Sequence, residues 1–208
     1  MIRNIIWDFD GTLFDTYPAI VYSFVSVLKS DYLLTYDPIE IERLVRIDTG
    51  FCSQKISHEN GLDSNEVLKK VRNFYNEQTI ITEKPHEHSI DICAKISKLG
   101  SNILITHRDK HSTDNILQYY DMLKLFDLII TADDEVTPKP SLESFNIALK
   151  SMEIRKCETI GVGDRDLDVQ AALNAGIKSV YFNPDGFVNT NATYNIRSLS
   201  EINVLLSD

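Results

Sequence analysis

The sequence predicts an α/β fold, a parallel sheet with helices on both faces that carries an inserted α-helical module. Three observations lead there. Short apolar runs of strand length recur at residues 2–7, 102–106, 128–131, 159–162 and 179–182, as buried strands of a parallel sheet do. Stretches with helical spacing of apolar residues lie between the later runs, and strand alternating with helix implies parallel pairing. Residues 16–82 break the alternation and contain nothing that reads as a strand.

Taken in order, Ile5, Ile6 and Trp7 form the first run, which ends in acidic residues and Gly11. In the inserted module Ile20, Phe24 and Leu28 repeat every four residues, and a second helical stretch covers residues 39–47. Asp63 with Glu66 forms a capping-box pattern ahead of Val67, Leu68, Val71, Phe74 and Tyr75. Past the module, Ile90, Ala94 and Leu99 precede Gly100, placed to be a C′ glycine. Ile116, Leu117, Tyr120 and Leu123 share a helical face, and Phe145, Ala148 and Leu149 follow a helix entry at Pro140 and Ser141. A helix over 167–175 closes at Gly176, and Ser198 with Glu201 opens a last helix over 198–206. The expected division is a core of residues 1–15 and 83–208 with an insert of 16–82.

Of 208 residues, 43% are hydrophobic and 25% charged, a globular mixture. Lys and Arg number 21 against 31 Asp and Glu, for a net charge of -10. That balance disfavours nucleic acid as a partner, because the surface repels a phosphate backbone. A small anionic substrate requires local reversal by a metal or a few cations. Cys52, Cys93 and Cys157 are too few and too widely spaced for a disulfide framework or a zinc site. Asp8 and Asp10 interrupt the first apolar run, so it is no signal peptide, and no run reaches membrane-spanning length. The expectation is a cytoplasmic monomer with no membrane partner, in which the Asn191-Ala192-Thr193 sequon is fortuitous.

The most informative segment is Asp8-Phe9-Asp10-Gly11-Thr12. Residues two apart on a strand face the same side, so Asp8 and Asp10 converge where the strand leaves the sheet. Ligands of open parallel sheets bind at those carboxyl ends. Two ionised carboxylates about 4 Å apart repel by about 4 kcal/mol at an effective dielectric near 20, so a proton or a cation must sit between them. Gly161-Val162-Gly163-Asp164 repeats the pattern, with Asp166 and Asp168 close behind. Asp8, Asp10, Asp164 and Asp168 are the candidate metal set. Mg2+ would suit Asp8, a main-chain carbonyl and Asp164, with Asp168 orienting a ligand or water. Asp166 is assigned the cap of the next helix. Thr106 ends another strand and can donate a hydroxyl to a phosphate oxygen. Lys139, between Pro138 and Pro140, offers a positive charge on a stiff backbone.

This set resembles the haloacid dehalogenase superfamily. Asp8-Phe9-Asp10-Gly11-Thr12 is similar to its first motif, Thr106 to its second, Lys139-Pro140 to its third, and Gly163-Asp164 with Asp168 to its fourth, in the family's order. The insert resembles the helical cap of the phosphoglycolate-phosphatase-like branch. The resemblance implies a Rossmann-like core, Mg2+ and an aspartyl-phosphate intermediate. Asp8 would be the nucleophile and Asp10 the acid and base, with Thr106 and Lys139 on the phosphate of a small phosphorylated metabolite. An aspartate at position 10 separates the chain from true dehalogenases, whose halide leaving group needs no proton. A phosphomutase acting on a sugar phosphate, or a non-catalytic binding module, are the alternatives.

His107 and Arg108 follow Thr106 and are candidate substrate contacts at the site entrance. Arg46, Thr49, Gly50 and Lys55 are candidate specificity residues of the cap. His86 and His88 read as solvated linker residues. Tyr119, Tyr120 and the aromatic residues of the insert read as core.

Overall fold

The computed structural model describes residues 1–77, 82–186 and 188–206 of the chain. They form two compact units, one of Met1–Asp15 with the residues from Pro85 onward, the other within Thr16–Lys84. Two-residue strands, β2 (Phe14–Asp15) and β3 (Lys84–Pro85), lie where the chain leaves and re-enters the first unit.

Helices of the second unit are α1 (Tyr17–Tyr32), α2 (Pro38–Val45), α3 (Thr49–Asn60) and α4 (Ser64–Asn76). Aspartates start three of them. Asp37 accepts the Ile39 N–H at 2.9 Å, Asp48 that of Phe51 at 3.0 Å, and Asp63 those of Asn65 and Glu66 at 2.8 and 2.9 Å. Phe24, Leu28, Ile41, Cys52, Ile56 and Val67 form their shared core. A cap contributes about 1 kcal/mol and a fully buried Ile or Phe about 1.5–3 kcal/mol, so the caps set helix ends while packing holds the unit together. The sequence gives α3 no clear apolar stripe, because its inward side carries Cys52, Ser53, Ile56 and Ser57.

In the first unit β1 (Asn4–Trp7), β4 (Asn102–Ile105), β5 (Leu128–Ile130), β6 (Thr159–Gly163), β7 (Lys178–Phe182) and β8 (Tyr194–Ile196) form a parallel six-stranded sheet. Its order, β5-β4-β1-β6-β7-β8, is that of a Rossmann-type sheet. The chain steps outward from β1 on one side, then returns to fill the other. β1 therefore borders the switch point, where such sheets bind ligands. The edge strand β8 escapes a search for apolar runs because its middle residue, Asn195, is exposed.

Among the described residues the α-helices of this unit are α5 (Ser89–Leu99), α6 (Lys110–Tyr119), α7 (Glu143–Ser151), α8 (Asp166–Asn174) and α9 (Ile202–Leu205). Ile6, Ile103, Ile105 and Ile130 pack with Phe145, Ala148, Ala171 and Ala172 of α7 and α8. Strand alternation sends Trp7 and Asn102 to the opposite face. There the Trp7 indole donates to Asn102 Oδ1 at 2.9 Å, and the Asn102 amide donates to the carbonyls of Cys93 at 2.7 Å and Leu125 at 3.0 Å. One buried amide thus ties β1, β4 and α5 together. α7 begins at Glu143, past the expected entry, with Ser141 Oγ accepting the Glu143 N–H at 3.2 Å. The expected last helix is a 3-10 turn, Leu199–Glu201, running into α9, and its capping box of Ser198 and Glu201 is present. Among the described residues no helix is long and apolar enough to cross a membrane.

Gly100 follows α5 in an extended conformation, φ -175°, rather than the left-handed one expected of a C′ glycine. Space is what requires it: a Cβ there would lie 2.4 Å from the Arg3 carbonyl oxygen and 2.7 Å from Asn4 Oδ1. Gly100→Ala should therefore lower stability by about 1–3 kcal/mol, read as a lower urea midpoint at unchanged slope.

Candidate active site

The chain turns sharply just beyond β1. The Phe9 carbonyl accepts N–H groups from Thr12 at 3.3 Å, Leu13 at 3.1 Å and Phe14 at 3.1 Å. Gly11 takes a φ of 77°, open to glycine at little cost. The turn leaves Asp8 buried at the strand end, its N–H bonded to the Val162 carbonyl of β6 at 2.9 Å.

Side chains from the segments after β5 and β6 meet Asp8. Lys139, from the loop after β5, donates its ammonium to Asp8 Oδ1 at 2.5 Å and to the Ile105 carbonyl of β4 at 3.0 Å, and pairs with Asp168 Oδ1 at 2.6 Å. Asp164, after β6, accepts the Thr12 hydroxyl at 3.2 Å. Thr106 ends β4, buried, its Oγ1 accepting the Arg108 N–H at 3.1 Å. Asp168 sits in the first turn of α8, and its Oδ2 accepts the Arg165 N–H at 3.2 Å. Close packing against Gly163 makes room for it, since a Cβ on Gly163 would come within 2.2 Å of Asp168 Cβ.

Burial pushes the Asp8 carboxyl above its ordinary value, Asp168 adds to the push, and Lys139 and Arg165 oppose it. Burial also works against the Lys139 ammonium, but Asp168 and Asp8 together outweigh it and hold its pKa above the usual lysine value. The ammonium thus stays charged.

The same charge excess tests whether a cation fits. Asp8, Asp164 and Asp168 can each present a carboxylate oxygen within 4.8 Å of the others. All three are buried, and Asp8 Oδ2 has no hydrogen-bond partner. Hard oxygen donors with surplus negative charge suit a divalent cation such as Mg2+. The carboxylate of Asp10, expected in the metal set, lies outside this cluster, and its Oδ1 is bonded to Arg108. Asp168, named in the candidate metal set and expected to orient a ligand or water, lies in the cluster itself.

Other expected residues have definite places. Arg108 Nη2 donates to Asp10 Oδ1 at 2.6 Å and Nε to the same oxygen at 3.2 Å. His107 Nε2 accepts the main-chain N–H of Lys139 at 2.9 Å, a contact that fixes the lysine loop. Asp166 does not cap α8 but is its first residue, and Arg165 holds the capping position. Asp166 instead accepts from Asn189 at 3.0 Å and from Gln170. In the second unit Arg46 pairs with Glu42 at 2.8 Å and lies over the Tyr17 ring, Lys55 pairs with Glu59 at 2.6 Å, and Thr49 and Gly50 open α3. His86 is half-buried with its ring edge-on to Phe182, so it is not a solvated linker residue, whereas His88 pairs with Glu87 at 3.4 Å. Tyr119 is 66% exposed and Tyr22 60%, so neither belongs to a core.

Sequence reasoning missed two contributors. Arg165 places its guanidinium 3.8 Å from Asp8 Oδ1 and from Asp168 Oδ2. Thr12 was visible only as part of a motif, and its bond to Asp164 spans 152 residues. An arginine directly after Asp164 was the available signal for the first, while nothing local announces the second.

Comparison with known proteins adds four findings. A family model described as haloacid dehalogenase-like hydrolase matches residues 5–182. Pyrophosphatase PpaX of Bacillus mycoides (strain KBAB4) is 26% identical over 180 residues, covering 86% of this chain and 82% of that protein. Among solved structures, a predicted phosphoglycolate phosphatase from Haemophilus somnus superposes with a TM-score of 0.85 at 15% identity, covering 99% of this chain and 98% of that one. YfnB from Bacillus subtilis, solved bound to magnesium, gives 0.79 at 19% identity, covering 100% of this chain and 99% of that one. At such identities the solved structures speak to the fold.

Thr12→Val removes the hydroxyl that orients Asp164 while keeping its volume. If the cluster holds Mg2+, its affinity, measured by calorimetric titration, should fall about tenfold, the usual scale for a partner of a metal ligand.

Proposed function

The chain belongs to the haloacid dehalogenase-like hydrolase family, and from that premise we propose that it is a Mg2+-dependent phosphatase of a small phosphorylated metabolite, working through an aspartyl-phosphate intermediate. The observation that carries this reading is Asp8, fixed through Oδ1 by Lys139 while the buried Oδ2 has no hydrogen-bond partner. A carboxylate held at one oxygen and bare at the other is oriented to attack.

Asp8 Oδ2 forms a bond to phosphorus as the ester bond breaks on the opposite side. Asp10 gives its proton to the departing oxygen, then takes one from the water that cleaves the aspartyl phosphate. Lys139 and the Thr106 hydroxyl offset negative charge on the phosphoryl oxygens. Asp8, Asp164 and Asp168, with the carbonyl of Asp10, are the residues that would hold Mg2+. When bound, the ion supplies further neutralisation of phosphoryl charge. The magnesium-bound form of YfnB supports the choice of metal. Residues 16–82 are the cap in this reading, with Arg46, Thr49, Gly50 and Lys55 as its specificity candidates. The name of the Bacillus mycoides relative brings pyrophosphate into the range of donors to be tried beside phosphate esters.

A panel of phosphorylated metabolites assayed for phosphate release should show turnover with Mg2+ and none in excess chelator. Asp8→Asn should reduce kcat by at least about a thousandfold with the circular dichroism spectrum unchanged, and Asp10→Asn by about a hundredfold or more. Normal turnover by Asp8→Asn would end this reading.

A further inference from the structure

Nothing in the reaction as written requires Asp10 to carry an arginine, yet Arg108 is built to hold it. Its side chain is 6% exposed. Nη2 and Nε both donate to Asp10 Oδ1, Nη1 reaches Ser112 Oγ at 3.4 Å, and Ser112 Oγ in turn donates to Asp109 Oδ2 at 2.8 Å. The guanidinium also lies over the Phe9 ring at 5.2 Å, and the Arg108 N–H is bonded to Thr106 Oγ1. The charge is therefore fixed before any substrate arrives.

We propose that Arg108 makes the site selective for phosphoryl donors whose leaving group is itself an anion, inorganic pyrophosphate being the simplest. The inference rests on the phosphatase reading, which puts the leaving oxygen within hydrogen-bond reach of Asp10. The Arg108 guanidinium, one carboxyl group away, attracts an anion as it departs. Once Asp10 has given up its proton, Arg108 also offsets the carboxylate charge that would otherwise repel that anion. Buried charges are poorly screened, so both effects persist in salt. A neutral alcohol gains nothing from either. With pyrophosphate, an Asp8 oxygen bonds to one phosphorus as the bridging P–O bond breaks. The bridging electron pair leaves with the other phosphate, which takes the proton of Asp10. Water then cleaves the aspartyl phosphate, returns a proton to Asp10 and releases the second phosphate.

The test compares kcat/KM for pyrophosphate and methyl phosphate, with Mg2+, in the wild type, Arg108→Gln and Arg108→Lys. The glutamine variant should lose at least about tenfold more on pyrophosphate than on methyl phosphate, and lysine, which keeps the charge, should restore part of that difference. Equal losses on the two donors overturn the proposal, since Arg108 is then structural. A larger loss on methyl phosphate also overturns it, because Arg108 then acts only by placing Asp10 for the leaving group that most needs a proton. A measurement on the wild type alone guards against a variant that does not fold. Phosphoglycolate should be cleaved at least about fivefold faster than its neutral amide, and equal rates overturn the proposal. Absence of phosphate release from every donor instead overturns the phosphatase reading itself.

Discussion

The Lys139 ammonium, sealed from water between Asp8 and Asp168, is the interaction on which the arrangement of the pocket depends. Burying three such charges is costly, and a buried pair is compensated only when geometry and further hydrogen bonds are good. Both conditions are met here. The ammonium also reaches the Ile105 carbonyl, and its loop is pinned by the bond from the Lys139 N–H to His107. Without it Asp8 and Asp168 would face each other as buried like charges. The carboxylate cluster and the orientation of Asp8 both follow from where that one nitrogen sits.

The sheet makes this placement possible. With β1 between β4 and β6, the loops after three neighbouring strands open on one edge. Main-chain bonds from Asp8 to Val162 and from Thr106 to Ile130 extend the ladder just past the strands, so these two side chains stand on rigid backbone. Two close packings complete the construction, Gly163 against Asp168 and Gly161 against Ala172, each where any larger residue would collide.

Much of this was legible in the sequence, for a physical reason. Apolar runs that end in a carboxylate or hydroxyl mark buried strands with polar tips, and the sheet gathers such tips on one edge. Asp8, Thr106 and Asp164 are found this way, and Lys139 by its flanking prolines. What stayed hidden depends on residues far apart in the chain. Arg108 meets Asp10 across 98 positions, and Thr12 meets Asp164 across 152. No local pattern encodes which of several loop arginines turns toward a given acid. Short or half-exposed elements such as β8, and helices with a weakly apolar inner side such as α3, carry too little periodicity to stand out.

The central position of β1 has a bearing on biosynthesis. During synthesis β1 must wait for residues 102–105 to cover one flank and for 159–163 to cover the other. During that interval Ile5, Ile6 and Trp7 form a bare apolar segment, a species prone to association. The four helices that follow are contiguous in the chain and bury a core of their own, so they can become ordered early. The Asp8 pocket, by contrast, exists only once the chain has been made through Asp168.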